Sequence, residues 1–255
     1  MVRIPFVRRC LVVGVATAAV SLLIAPLSTV AASKTAGQWL ASSRASANSE
    51  PSFHYVATTT YPTQSVTITG DVSASEGQQT IVNHENGEVG HVTVSLVGGS
   101  VYFEGDEAGL AGFMGLPASL ASKYVGQWIS LTKSDKGFST IAAGLTTSSA
   151  LSQIQMSKSL SLHGASSMLG HRVVAIGGIQ SATQPGSTQK ALVSIRLYID
   201  TTGRPLPVLY TGHATVGKKK VAQSISFSAW GAQVNVTAPA VSTPAGTLGA
   251  SPVEA

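Results

Sequence analysis

The alternation of apolar and polar residues with a period of two is the feature that most constrains the fold of this chain. It is clearest in residues 66–72 and 91–96, where every second side chain would lie on the same face of a strand. Asn86-Gly87, between two strand-like runs, favours a tight hairpin turn. These patterns predict a meander of antiparallel strands with one buried face and one solvated face.

Three further segments have helical spacing, and no helix alternates with strands as in parallel βαβ units. The helical segments are 33–49, 107–125 (interrupted at Pro117) and 138–154, and the strand segments are 52–61, 66–72, 80–84, 91–96, 101–104, 127–131, 160–162, 171–176, 191–199, 208–215 and 221–230. This order of elements predicts an α+β fold. We expect one large, curved antiparallel sheet, a half-barrel, with helices packed on its concave face.

The first 32 residues have the pattern of an export signal. Three arginines begin the segment, an apolar run covers residues 10–30, and small residues follow at Ala31 and Ala32. The run also reaches the roughly 20 residues that span a bilayer, so residues 1–32 are either a cleaved signal peptide or an uncleaved N-terminal membrane anchor. Both alternatives predict an exported protein, extracellular or in the cell envelope, and tethered to the membrane if the signal is not cleaved. Cys10 is the single cysteine, so we expect folding without disulfides.

Residues 33–238 are long enough for one domain, and residues 239–255 lack periodicity and are predicted to be a disordered tail. Without the first 32 residues, 13 basic and 11 acidic residues remain, a formal charge of +2. This near-neutral charge argues against nucleic acid as a partner. The cluster Lys218-Lys219-Lys220 is either a solvated hairpin tip or a contact for anionic lipid headgroups, which leaves a membrane surface open as a partner.

The sequence contains no convincing catalytic or metal-binding signature, and it predicts no cofactor. It has neither a Gly-x-Ser-x-Gly nucleophile elbow nor a phosphate-binding loop. The densest group of potential metal ligands, His84, Glu85, Glu88 and His91, flanks the predicted hairpin turn, and we interpret it as an exposed polar turn. The acidic residues in 104–107 precede a predicted helix, where carboxylates favour capping.

Six short motifs occur in an order that is similar to a known family. The motifs are 66–72 (VTITGDV), 98–106 (GGSVYFEGD), 120–129 (LASKYVGQWI), 200–207 (DTTGRPLP), 227–231 (FSAWG) and 234–239 (VNVTAP). In this order they resemble the actinobacterial LppX/LprG-type envelope lipoproteins and, more distantly, the LolA/LolB lipoprotein carriers. The resemblance covers about residues 34–239. It implies a LolA-like half-barrel whose apolar cavity, between sheet and helices, holds acyl chains of lipids or lipoproteins.

Two sets of residues are predicted to line such a cavity: strand residues that alternation places on the inward face, and apolar residues of the helical section. They are Val66, Ile68, Val92, Val94, Leu96, Val101, Phe103 and Trp128 from the strands, and Leu110, Phe113, Met114 and Leu145 from the helical section. These are also ordinary core residues, so the cavity is a hypothesis. The glycine-rich segment 109–115 is either a pliable lid or a core helix.

These observations predict an exported, monomeric protein that binds a lipid or another acylated ligand and is not an enzyme. The alternative is a structural or protein-interaction module of the cell surface, with its interior filled by its own side chains. A hydrolase would require a serine and a base within hydrogen-bond distance. The chain departs from the family at Cys10, which lies at the wrong end of the apolar run for a lipobox. We therefore expect a lipoprotein-like domain that is exported without a lipid tether on cysteine.

Overall fold

The computed structural model describes residues 34–183, 190–216 and 219–248. The predicted signal or anchor, residues 1–32, lies outside the described residues, as does Lys218 of the lysine cluster. The first helix, α1 (Ala36–Asn48), begins at a capping box. Thr35 Oγ1 accepts the N–H of Gln38 at 3.2 Å, and Gln38 Oε1 accepts the N–H of Thr35 at 2.8 Å.

The helical section is divided into four short pieces. They are a π-helix (Gly109–Phe113), α2 (Ala118–Lys123), α3 (Phe138–Ile141) and α4 (Thr147–Leu151), and a single 3-10 turn (Ala245–Thr247) follows near the C-terminus. Pro117 stands immediately before α2, as the tolerance of proline at a helix start predicts. All four pieces of the helical section lie between β5 and β7.

Twelve strands form one sheet in the described part of the chain. They are β1 (Ser52–Thr60), β2 (Gln64–Ser73), β3 (Gly77–Glu85), β4 (Glu88–Val97), β5 (Ser100–Gly105), β6 (Ile129–Leu131), β7 (Ser161–Met168), β8 (His171–Thr183), β9 (Lys190–Asp200), β10 (Pro207–Val216), β11 (Lys219–Ser228) and β12 (Thr243–Pro244). Their spatial order is β12-β6-β5-β4-β3-β2-β1-β11-β10-β9-β8-β7. Only the β12–β6 pair among them is parallel. The predicted large, curved antiparallel sheet with helices on its concave face is confirmed, and the sheet stays open.

The register aligns inward-facing residues in rows across the sheet. One row passes in turn through Ile129, Phe103, Val94, Gln79, Gly70, Tyr55 and Phe227. Gly70 is required in this row because a Cβ atom there would lie 2.6 Å from Cε1 of Tyr55. The missing side chain lets the Tyr55 ring lie over β2 and reach Gln79 on β3.

Two apolar clusters cover the concave face. The first joins β3–β6 to the π-helix, α2 and α3, with Phe103, Leu110, Met114 and Leu145 almost completely buried. The second joins β1, β2 and β8–β11 to α1 and α4, and it contains an aromatic group of Phe53, Tyr55, Phe227 and Trp230. The two clusters share Ile68 on β2, so the centre of the sheet is the boundary between them.

The glycine-rich segment packs as a core helix. Leu110 is fully buried, and a Cβ atom at Gly109 would lie 2.3 Å from the carbonyl oxygen of His91 on β4. The backbones of the π-helix and β4 therefore touch directly. This packing favours the core-helix interpretation of residues 109–115 over a pliable lid.

The prediction of a disordered tail over 239–255 is wrong for residues 243–248. Thr243 and Pro244 pair with Ile129 and Ser130 as β12. Ala245 and Leu248 are buried in the first apolar cluster. The sequence pattern failed here because a two-residue strand has no periodicity to detect, while tertiary contacts fix it.

Candidate functional site

A cavity of about 240 Å³ lies between the centre of the sheet and the α3–α4 segment. We call it the central cavity. It is lined by Tyr55, Ala57 and Thr59 of β1, Val66 and Ile68 of β2, Gln79 of β3, Gln223, Ile225 and Phe227 of β11, and Ala143, Gly144, Ala150 and Gln153 of the helical section. None of these side chains carries a formal charge at neutral pH. The cavity can therefore accept an apolar chain without desolvating an ion.

A hydrogen-bonded group joins the two walls of the central cavity. The Tyr55 hydroxyl donates to the carbonyl oxygen of Gly144 at 3.1 Å, and the side-chain amide of Gln79 donates to the Tyr55 oxygen. Burial raises the pKa of Tyr55 far above its ordinary value, and the hydrogen bond from Gln79 offsets only part of that rise. Tyr55 is therefore neutral at physiological pH and, with Gln79, supplies a buried polar group in a largely apolar wall.

The helical wall of the cavity is held by local polar contacts. Thr146 and Ser149 form a capping box at the start of α4, and Ser149 Oγ also accepts the N–H of Gly144 at 3.1 Å. This turn orients Ala150 toward the cavity. The absence of a large side chain at that position keeps the space beneath α4 open.

A smaller pocket of about 180 Å³ adjoins the central cavity. Both are lined by Ile68, Gln79 and Ala143, and the smaller pocket extends toward Val94, Phe113, Met114 and Ile141. Each space is smaller than the roughly 300–1,000 Å³ of pockets for drug-sized molecules. Their common wall places Gln79 at the junction between them.

The structure separates the twelve predicted lining residues into three groups. Five line the central cavity or the smaller pocket: Val66, Ile68, Val94, Phe113 and Met114. Six pack into the first apolar cluster, away from both spaces: Val92, Leu96, Val101, Phe103, Leu110 and Leu145. Phe113 retains 38% of its surface exposed, at the outer side of the smaller pocket.

Trp128, the twelfth predicted residue, lies outside the strand that was expected to carry it. β6 contains only Ile129–Leu131, and Ile129 and Leu131 are the residues that face inward. The predicted strand, 127–131, begins two residues before β6, and the residues on its buried face are Ile129 and Leu131 instead of Trp128. The register row through Phe103 and Ile129 explains the shift, since pairing with β5 decides which face is buried.

Sequence reasoning missed most of the central cavity. Tyr55, Gln79, Ile225 and Phe227 were not among the predicted lining residues, although three of them lay in predicted strands. Alternation alone could have identified Tyr55 and Phe227, because each lies on the apolar side of its strand, next to Phe53 and Ala57 or to Ile225. Gln79 could not have been found this way, because the predicted strand began at Thr80 and a buried glutamine breaks the apolar pattern.

Three histidines form exposed pairs with aspartates that lie on, or directly after, a neighbouring strand. The pairs are His54–Asp71 at 2.8 Å, His91–Asp106 at 2.9 Å and His171–Asp200 at 2.7 Å. Within the described residues, no group of three or more His, Cys, Asp or Glu residues could hold a metal ion. His84 and His91 are not opposite each other on the β3–β4 hairpin, since their partners are Val89 and Val82.

Asp106 caps the π-helix region, as the acidic segment 104–107 suggested. Its carboxylate accepts the N–H of Gly109 at 2.7 Å and the N–H of His91 at 3.0 Å. Partial burial raises its pKa, but these hydrogen bonds and the His91 side chain more than compensate, so the pKa of Asp106 is lowered. This carboxylate is structural and lies outside the lining of the central cavity.

The fold and the cavity define a class of protein: an open, curved antiparallel sheet that encloses apolar space beneath short helices. Two solved structures are similar to the chain in fold. LprF from Mycobacterium bovis is 18% identical, covers 81% of this chain and 97% of its own, and gives a TM-score of 0.51. The lipoprotein LppX from Mycobacterium tuberculosis is 17% identical, covers 78% of this chain and 96% of its own, and gives a TM-score of 0.48.

The likeness to LprF shows the fold of this chain. It confirms the resemblance to LppX/LprG-type lipoproteins as a resemblance of fold. No protein-family model matches the sequence, and no curated protein matches it significantly. Among the described residues, no helix is long and apolar enough to cross a membrane.

Proposed function

We propose that this chain is an exported, non-enzymatic carrier that binds the acyl chain of a lipid or another acylated molecule in the central cavity. The observation that carries the proposal is the wall of that cavity, which is largely apolar, uncharged and placed between the concave sheet and the helices. An acyl chain that leaves water for such a wall gains roughly 0.8 kcal/mol for each buried methylene. Partition of the chain into the cavity is the mechanism, and no bond is made or broken.

The polar atoms in the wall indicate the type of acyl compound. Tyr55, Gln79, Gln153 and Gln223 offer neutral hydrogen-bonding groups to the central cavity, and none of the lining residues that the structure describes carries a charge. A charged headgroup inside this cavity would lose its hydration without gaining an ion pair, which is costly. The ligand therefore places an uncharged part, such as an alkyl chain with its ester, in the central cavity.

A membrane surface is the proposed source or destination of the ligand. Thr59, Val66 and Gln223 are the cavity residues nearest the end of the sheet where β1 turns into β2. β11 begins at that same end, because it runs antiparallel to β1, and it starts with the exposed Lys219 and Lys220. These lysines favour anionic headgroups, each contributing about 1 kcal/mol near a charged bilayer.

The proposed location of the protein outside the cytoplasm rests on the sequence of residues 1–32. We propose export through a signal ending near Ala32, a mature protein that is a monomer, and no lipid on cysteine. N-terminal sequencing of the exported protein tests directly whether the signal is cleaved. A start near Ser33 is expected, and retention of Met1 in a membrane fraction would instead establish the uncleaved anchor.

The ligand is tested by secreting the full chain from an actinobacterial host and extracting the purified protein with organic solvent. Mass spectrometry of the extract is expected to show an acyl lipid at close to one molecule per protein. The matched control is Ala57→Phe, which places an aromatic ring in the cavity from β1 and is expected to abolish the lipid. A well-folded protein that yields no lipid and takes up no neutral acyl probe would contradict the proposal.

The second candidate is a surface module that binds proteins rather than lipids. The observation that favours it is the small size of the central cavity, which side chains could fill after modest movement. In that case Ala57→Phe would raise stability and leave every interaction of the protein unchanged. The same variant therefore distinguishes the two functions.

A further inference from the structure

A second concave site lies on the other side of α4 from the central cavity. We call it the α1–α4 groove, and its volume is about 330 Å³. Its lining includes Ser43 and Arg44 of α1, Leu151 of α4, Ile154 after α4, and Leu197 of the sheet. α4 separates the two spaces, since Ala150 and Gln153 face the central cavity while Leu151 and Ser152 face the groove.

The groove contains an unpartnered buried hydroxyl. Ser43 is 0% exposed, and its Oγ forms no hydrogen bond. A serine inside a helix ordinarily returns its hydroxyl to the carbonyl one turn earlier, or points it to solvent. A buried hydroxyl without a partner is unfavourable, and Ser43 lies in the lining of the groove, so an atom of a bound ligand would supply the missing partner.

Arg44, the next residue of α1, supplies the only formal charge among the described residues of the lining. It is exposed and forms no ion pair with any residue that the structure describes. Glu50, an acidic residue close to the end of α1, is engaged by Arg204 instead. The polar side of the groove therefore carries a positive charge, and the Arg44 guanidinium can pair with an anionic group of a ligand.

The remaining lining is suited to an alkyl chain. Leu40, Leu151, Ile154 and Leu197 form apolar walls beside Ser43, with Leu197 only 1% exposed. Ser148, Asn48 and Ser152 lie at the exposed rim. The groove thus combines an apolar trough with a hydroxyl donor and a guanidinium at adjacent positions of one helix.

We infer that the α1–α4 groove binds a single-chain carboxylate, such as a fatty acid anion. One carboxylate oxygen accepts the Ser43 hydroxyl, the other accepts from the Arg44 guanidinium, and the alkyl chain lies along Leu151, Ile154 and Leu197. A hydrogen bond between a hydroxyl and a carboxylate is stronger than one between neutral groups. The site is separate from the central cavity. It binds an anionic group, whereas the central cavity accepts an uncharged part of a ligand.

The inference is tested by isothermal titration of the delipidated secreted protein with sodium laurate and, separately, with the neutral methyl laurate. Ser43→Ala and Arg44→Gln are each expected to weaken laurate binding about 10-fold, and neither is expected to change methyl laurate binding. The matched controls are Ser42→Ala, on the same helix but outside the groove lining, and Arg196→Gln, an exposed arginine on β9. Both controls are expected to bind laurate as the wild type does.

Urea unfolding keeps the test independent of folding defects. Because the Ser43 hydroxyl has no partner, Ser43→Ala is expected to leave the stability of the ligand-free protein unchanged or higher. Loss of laurate binding in a variant of full stability then reports the ligand contact alone.

The outcomes separate this inference from the proposed function. If Ala57→Phe abolishes laurate binding while Arg44→Gln does not, laurate occupies the central cavity and the inference is overturned. If laurate binds in an Arg44-dependent manner while methyl laurate does not bind at all, the groove stands and the central-cavity proposal fails. Equal laurate affinity in the wild type, Ser43→Ala and Arg44→Gln would also overturn the inference.

Discussion

Removing the Tyr55 hydroxyl tests how the two walls of the central cavity are joined. Tyr55→Phe keeps the ring that lies over Gly70 and deletes the oxygen that donates to Gly144 and accepts from Gln79. Two partners lose their hydrogen bond at once. Gln79 is 5% exposed, so its amide cannot turn to bulk solvent.

The expected loss of stability follows from those two partners. A typical net hydrogen bond is worth about 1 kcal/mol, and a buried group left unpaired costs about 1–3 kcal/mol. Water in the central cavity can replace part of the loss, so we expect Tyr55→Phe to lower the free energy of unfolding by about 2–3 kcal/mol. The midpoint of urea unfolding should fall with an unchanged slope.

A double-mutant cycle with Gln79→Leu separates this contact from general packing. Gln79→Leu removes the buried amide, so the double variant should be more stable than the sum of the two single losses predicts, by about 0.5–3 kcal/mol. Both measurements use the ligand-free protein. Single losses below about 0.5 kcal/mol together with full additivity would refute the claim that this group joins sheet and helices.

Three further predictions concern packing and pH. Phe227→Ala removes the ring that contacts Phe53 and should cost about 3–5 kcal/mol in urea unfolding, whereas a loss near 1 kcal/mol would mean that the aromatic group is not a core. Gly109→Ala places a Cβ atom against the His91 carbonyl and should cost about 1–3 kcal/mol; a neutral result would show that the π-helix can move away from β4. Because the pKa of Asp106 is lowered on folding, its contribution to stability is complete above its unfolded pKa of about 3.9 and is lost as pH falls through the lower folded value. Asp106→Asn should therefore lose less stability than the wild type between pH 4 and pH 2 in acid-unfolding measurements, and parallel acid curves would contradict the assignment.

The fold could be predicted largely because it repeats one local rule. Most predicted strands recur in the structure, and Asn86-Gly87 forms the turn between β3 and β4, where Glu85 and Glu88 pair. Alternation of apolar and polar residues is a local signal that survives in the folded sheet. β12 has no such signal, since its two residues are fixed by contact with β6.

The site could be predicted only in part, because a cavity is a property of packing rather than of pattern. Val94 and Phe103 both face inward by alternation. Val94 lines the smaller pocket, whereas Phe103 is packed closely by the other residues of the first apolar cluster. Val94 shares the smaller pocket with Ala143, a small residue that leaves space open beneath the helices, whereas Phe103 belongs to the lining of neither space. The sequence contains many alanines, and it does not indicate which of them lie beside an empty volume.

Native mass spectrometry of the delipidated protein with monolauroylglycerol tests the central claim most directly. We expect a one-to-one complex with the wild type, and its loss in Ala57→Phe at unchanged thermal stability. Arg44→Gln, which alters the α1–α4 groove, should retain the complex. The absence of any complex with the wild type, or a complex of equal strength in Ala57→Phe, would contradict acyl-chain binding in the central cavity.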